Sequence, residues 1–214
     1  SFYIEDDGKD QSEILKKVKI GLEELRDTVD VGSGMILSSE TEDLDWINNW
    51  KKFFSSFTIE NILIKPTWED VKPEDKDKFM IEIDPGISFG TGKHETTQLC
   101  IRQLIKYIKD GHPKVLDVGC GSGILSIVAL KLGASEVVGT DLDADCMIST
   151  HENMKVNHLD EKLGTFYVGN LIDDVDLQKQ VGTEEYDIVV ANILADVIIP
   201  MAPVIPDRLR KGGY

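Results

Sequence analysis

Three glycines at alternate positions, Gly119, Gly121 and Gly123, directly follow an apolar run in VLDVGCGSGIL (115–125). Each costs backbone entropy, so three together mark a place where the chain turns sharply or lets something approach closely. The spacing is G-x-G-x-G, with Ile124 where a dinucleotide fingerprint has its third glycine. No Gly-Lys-Ser/Thr follows, which excludes a Walker phosphate loop. Asp141, in GTDLD, stands at the distance where such folds place the acid that accepts from ribose hydroxyls. Loop and acid together suit an adenosine-type ligand held by its ribose. The plain alternative is a tight strand-to-helix turn with no ligand. Asn192, in VVANILA, offers side-chain and backbone carbonyls that can orient an N–H-bearing nucleophile, or it simply caps the segment that follows.

The elements that must position these residues read as alternating strands and helices. KVLDVG, SEVVGTDLD, GTFYVGNL and EYDIVVANIL read as strands; GILSIVALKLGA and ADCMISTHENMKVN read as helices. That alternation predicts a parallel α/β sheet with helices on both faces, and ligands of such sheets bind at the carboxyl ends of the strands. Upstream, 59–66 and 79–85 read as two strands around a polar loop containing Pro73. The glycine-rich run GISFGTGKHETT then enters a helix whose buried side is expected to be Leu99, Leu104, Ile105 and Ile108. Pro200, Pro203 and Pro206 interrupt the next helical stretch, so a helix is expected to begin near Pro206. The chain stops at Tyr214, after a glycine turn that should introduce another strand, so the sheet is expected to look cut.

Residues 1–58 have a different pattern. FYIE and GMILSSE read as strands, flanking a helix with Leu15, Val18, Leu22, Leu25 and Val29 on one stripe and Ser12 as N-cap. DLDWINNWKKFF reads as an aromatic connector helix. The expected organisation is a partial α+β domain over 1–42, a linker over 43–58, and an α/β domain over 59–214.

The chain has 214 residues and a net charge of −16. Such a surface repels a phosphate backbone and favours a basic partner or a small molecule, or it serves solubility alone; either way no direct nucleic-acid binding is expected. No apolar run is long enough to span a bilayer, and no membrane association is expected. Three cysteines without CxxC spacing point to a reducing, cytoplasmic setting. Cys120 reads as a small buried residue, His94 as a helix-start residue, and His112, His151 and His158 lack ligand spacing, so no metal is expected.

LDVGCGSGIL with GTDLD resembles the donor-binding pattern of class I S-adenosylmethionine-dependent methyltransferases. DPGISFGTGKHETTQLC, VVANILA, DWINNWKKFF and IKPTW narrow the resemblance to the family that methylates ribosomal protein L-eleven of the large subunit. It covers residues 43–214 well, and 1–42 only as the second half of a ferredoxin-like recognition domain. It implies a doubly wound Rossmann-like sheet, S-adenosyl-L-methionine as donor, and lysine and N-terminal amines as acceptors. By the same resemblance Thr97, Gly119, Gly121, Asp141, Asn170 and Asn192 contact the donor and Asn192 is also catalytic. Phe89 and Gly90 would cover the donor, with Gly90 and Gly92 as hinges. Asn170 departs from the Asp that many relatives carry for the adenine amino group. The other readings are a methyltransferase of a different amine, small molecule or RNA, or an inactive donor- or protein-binding fragment.

Overall fold

The structure, a computed structural model, describes residues 12–26, 33, 36, 55–84, 95–109 and 111–214. The chain divides into two compact units, Ser1–Asn48 and Asn49–Tyr214. In the first, α1 spans Ser12–Leu25, with Leu15, Val18 and Leu22 half-buried as the stripe predicts. The helix starts at Ser12 itself, so Ser12 lies in the first turn and not at the expected cap position. The strands expected at 2–5 and 34–40 (Ile36 apart), the aromatic helix at 43–54, Val29, and the segment with Phe89, Gly90, Gly92 and His94 lie outside the described residues.

The second unit opens with β1 (Phe57–Ile59) and β2 (Ile62–Lys65), paired antiparallel, and β3 (Phe79–Glu82), parallel to β2. The single strand expected over 59–66 is therefore half of a hairpin. Glu60, at φ 51, reverses the chain in a two-residue turn that carries no glycine signal. Next, α2 (Glu95–Tyr107) buries Thr97, Ile101 and Leu104, with Ile108 just beyond. Leu99, expected inside, is 59% exposed because the buried stripe runs 97, 101, 104, 108 and includes a threonine.

The main sheet is formed by β4 (Lys114–Val118), β5 (Glu136–Asp141), β6 (Gly164–Val168) and β7 (Ile188–Ala191), all parallel in the order β6-β5-β4-β7. Alternate residues of β4 feed two cores. Val115 joins Ile101, Ile127 and Met154 on one side, while Leu116 and Val118 join Leu177, Tyr186 and Met201 on the other. Burial on both faces explains why consecutive residues of β4 and β5, Val115–Leu116 and Val137–Val138, are apolar.

The connections are α3 (Ile124–Lys131), α4 (Ala144–Val156) and α5 (Val175–Val181), with α6 (Ala195–Met201) following β7. The sequence reading has no counterpart of α5. Its signals are the Asp174 carboxylate, which accepts from the Asp176 and Leu177 N–H groups at 3.0 Å each, and Gly182 at φ 89 beyond its end. The helix expected near Pro206 is not there: residues 202–208 form turns, and the helix starts eleven residues earlier, at Ala195, with Pro200 inside it. In so short a helix Pro200 forfeits a single backbone bond next to the end. Tyr214 donates to Asp187 O and accepts from Val189 N, the pattern of a parallel partner on the outer edge of β7.

Candidate functional site

The chain leaves β4, moves outward through β5 and β6, then returns to the other side of β4 with β7. The carboxyl ends of β4 and β7 therefore flank the topological switch point, where open α/β sheets form their ligand crevice. Gly119 follows β4, Asp141 ends β5, Asn170 follows β6 and Asn192 follows β7, so these four predicted residues share one edge.

The glycine loop is held from several directions. Gly119, Gly121 and Gly123 have φ 75, 54 and 78, all in the left-handed region. A Cβ on Gly119 would lie 2.2 Å from Ile193 Cγ2, and one on Gly123 would lie 2.6 Å from Thr150 Cγ2. The close approach that the glycines permit is thus made, at these two positions, by the protein's own side chains. The Gly119 and Cys120 N–H groups both donate to Thr140 O, at 2.7 and 3.0 Å. Thr150 Oγ1 donates to Gly121 O at 3.0 Å. Asp141 Oδ2 accepts from Gly121 N at 2.9 Å and Oδ1 from Asp143 N at 3.1 Å, which leaves each carboxylate oxygen a further lone pair.

Asp117, one residue before the end of β4, is fully buried. Its Oδ2 accepts from Ser126 N (3.1 Å) and Ser126 Oγ (2.7 Å), so a single carboxylate spans the loop from strand to helix. Its Oδ1 has no partner. Burial pushes this carboxyl up to about 6; the Ser126 bonds pull against that, and the charge of Asp141 adds to it. The sequence reading missed Asp117, although an acid inside a two-sided apolar strand is itself a signal. Burial also pushes the Cys120 thiol up, which keeps it protonated and agrees with the small buried residue expected there.

At the β7 end, Asn192 Nδ2 donates to Thr97 Oγ1 at 2.8 Å. Two predicted site residues 95 positions apart in sequence are thereby joined, and the Asn192 carbonyl oxygen is left to accept. Thr97 is buried in the first turn of α2, where N–H groups point out of the helix. Asn170 behaves differently. Its Oδ1 accepts from Ile172 N at 3.0 Å, closing a local turn with the atom expected to meet an adenine amino group.

Among the described residues, no three His, Cys, Asp or Glu side chains are grouped to hold a metal, and no helix is long and apolar enough to cross a membrane. A largely apolar groove of about 510 Å³ runs between α2 and the outer edge of β7, lined by Leu99, Cys100, Gln103, Val189 and Tyr214. It is lined by none of Thr97, Gly119, Gly121, Asp141, Asn170 and Asn192.

The model of the family "Ribosomal protein L11 methyltransferase (PrmA)" matches residues 2–214. The chain belongs to this family. It is 86% identical over 216 residues to the ribosomal protein L11 methyltransferase of Agathobacter rectalis, covering 100% of this chain and 67% of that protein. It is 52% identical to the one from Lachnospira eligens, with the same coverage of each. The chain spans about two thirds of the length of these curated relatives. The crystal structure of a ribosomal protein L11 methylase from Lactobacillus delbrueckii subsp. bulgaricus is 35% identical, with a TM-score of 0.63 over 75% of this chain and 77% of that one. The Rossmann-like fold and S-adenosylmethionine as methyl donor follow from this membership, as the motifs imply.

Proposed function

We propose that this chain transfers methyl groups from S-adenosylmethionine to lysine and N-terminal amines of ribosomal protein L11, at the carboxyl edge between β4 and β7. The observation that carries this reading is the Asn192–Thr97 bond beside the glycine loop. That bond leaves a neutral amide carbonyl free to accept, which supports the reading that Asn192 receives an incoming amine.

The residues present suit the donor. Asp141 has lone pairs for two ribose hydroxyls, and Gly119 and Gly121 bring backbone rather than side chains to the edge. The first turn of α2, with Thr97, favours a carboxylate such as the one on a methionine moiety. When bound, S-adenosylmethionine supplies an electrophilic methyl on a cationic sulfur. The chain's own task is positioning. Asn192 holds the hydrogens of a neutral amine and aims its lone pair. The N–C bond forms as the S–C bond breaks, the sulfur keeps the electron pair, and the surplus amine proton leaves to water. An Asp at 192 would instead stabilise the ammonium, which has no lone pair to offer. The net charge of −16 suits a basic protein substrate. The first unit is read as part of a substrate-recognition domain and the cytoplasm as the setting.

The test is to incubate the chain and donor with unmethylated total ribosomal proteins and read intact masses. Increments of whole methyl groups on L11 alone are expected. Increments on another protein, or on RNA in a parallel assay, would overturn the substrate assignment.

A further inference from the structure

Among the described residues, the sheet order β1-β2-β3 leaves the outer edge of β3 without a strand partner, yet its backbone is paired. Asn157, beyond the end of α4, accepts from Glu82 N with Oδ1 (3.0 Å) and donates to Glu82 O with Nδ2 (2.6 Å). Asn153, one helical turn earlier, repeats the pattern at Asp84: Oδ1 accepts from Asp84 N (2.8 Å) and Nδ2 donates to Asp84 O (3.0 Å). Four residues of helix rise about 6 Å and two residues of strand about 6.6 Å, so two asparagines at this spacing imitate a neighbouring strand.

The two asparagines differ in their remaining bond. Asn157 spends it on Asn153 O in its own helix. Asn153, 1% exposed, spends it on Ser122 O of the glycine loop at 2.9 Å. Thr150, on the same face, holds the adjacent Gly121 carbonyl. Asn153 alone therefore ties three segments together: α4, the end of β3, and the loop.

We propose that Asn153 is a positioning residue for methyl transfer, fixing the 119–123 loop against the end of β3 so that the loop and the Asp141 carboxylate it holds meet the donor in one arrangement. This rests on the donor site proposed above.

The test compares the full 214-residue chain with its Asn153→Ala, Asn153→Asp and Asn157→Ala variants. Melting temperature, amide exchange in the loop, and donor affinity by calorimetry are read for each. Both alanine variants should melt earlier, since each loses buried bonds. Asn153→Ala should speed exchange at 121–123 and raise the donor Kd by about tenfold, while Asn157→Ala should change either by less than about twofold. Asn153→Asp can still accept from Asp84 N but offers Ser122 O no donor; it should behave like Asn153→Ala at the loop, and it stands in if the alanine variant does not fold. Equal loop exchange in the two alanine variants would overturn the proposal. A parent chain that binds no donor would overturn the donor site, while loop exchange would still decide the brace.

Discussion

On the β4–β5 side of the carboxyl edge, Asp117, Asp141, Thr150 and Asn153 all hold the 119–123 loop or span it. On the β7 side, Asn192 makes one bond, to Thr97, and is followed by Leu194 at 77% and Ile199 at 70% exposure. The first half is set before any ligand arrives, as binding one invariant small molecule requires. The second half is open, as the proposed function requires of a surface that receives side chains from another protein. Preorganisation belongs where the ligand never changes, because ordering a loop at the moment of binding weakens affinity.

Substitutions can break this contrast. On the open side, Asn192→Ala should lower kcat by about 10²–10³-fold while donor Kd moves by less than about threefold, measured by methylation kinetics and calorimetry. On the braced side, the buried Asp117 carboxyl gives a pH signature. Its folded-state value, about 6, lies well above the ordinary aspartate value, so the folded state holds the proton more tightly. Its contribution is therefore fully favourable below about pH 4 and is lost as pH rises to about 6, a change on the order of 3 kcal/mol. Asp117→Asn, which can still accept from Ser126, should flatten that part of a stability-versus-pH curve from denaturant melts. Gly119→Ala adds a Cβ against Ile193 at positive φ and should cost about 2 kcal/mol in the same melts, with Gly119→Ala/Ile193→Ala recovering part of it. Asp141→Asn removes a charged acceptor shared by the loop and the donor, and should raise donor Kd about tenfold in a calorimetric titration with kcat nearly kept. Asn170→Asp is the mildest change. It keeps the Ile172 turn and adds acceptor capacity, so donor Kd should tighten by no more than about threefold.

What the sequence made legible follows from where the physics is local. The strands β4, β5 and β7 were readable because burial writes itself as apolar runs ending in Gly119, Asp141 and Asn192. The β1–β2 hairpin was not, because its reversal uses Glu60 in a left-handed conformation. The helix α5 was missed because only Leu177 and Val181 of its seven residues are buried. The glycines were noticed for the right reason, but Ile193 and Thr150 fill the space beside two of them, which no spacing rule reveals. Asn153 was invisible since its partner Asp84 lies 69 residues away and the bonds run to backbone, which leaves no complementary residue type to find. The Asn192–Thr97 pair was anticipated only as two members of one site; the bond between them is a tertiary fact.

The most direct test is a crystal structure of the chain with S-adenosylhomocysteine. Ribose hydroxyls are expected within hydrogen-bonding distance of Asp141, with the glycine loop unchanged and the sulfur facing the Asn192 carbonyl oxygen. A ligand seated away from Asp141, or a sulfur turned away from Asn192, would contradict the proposed site.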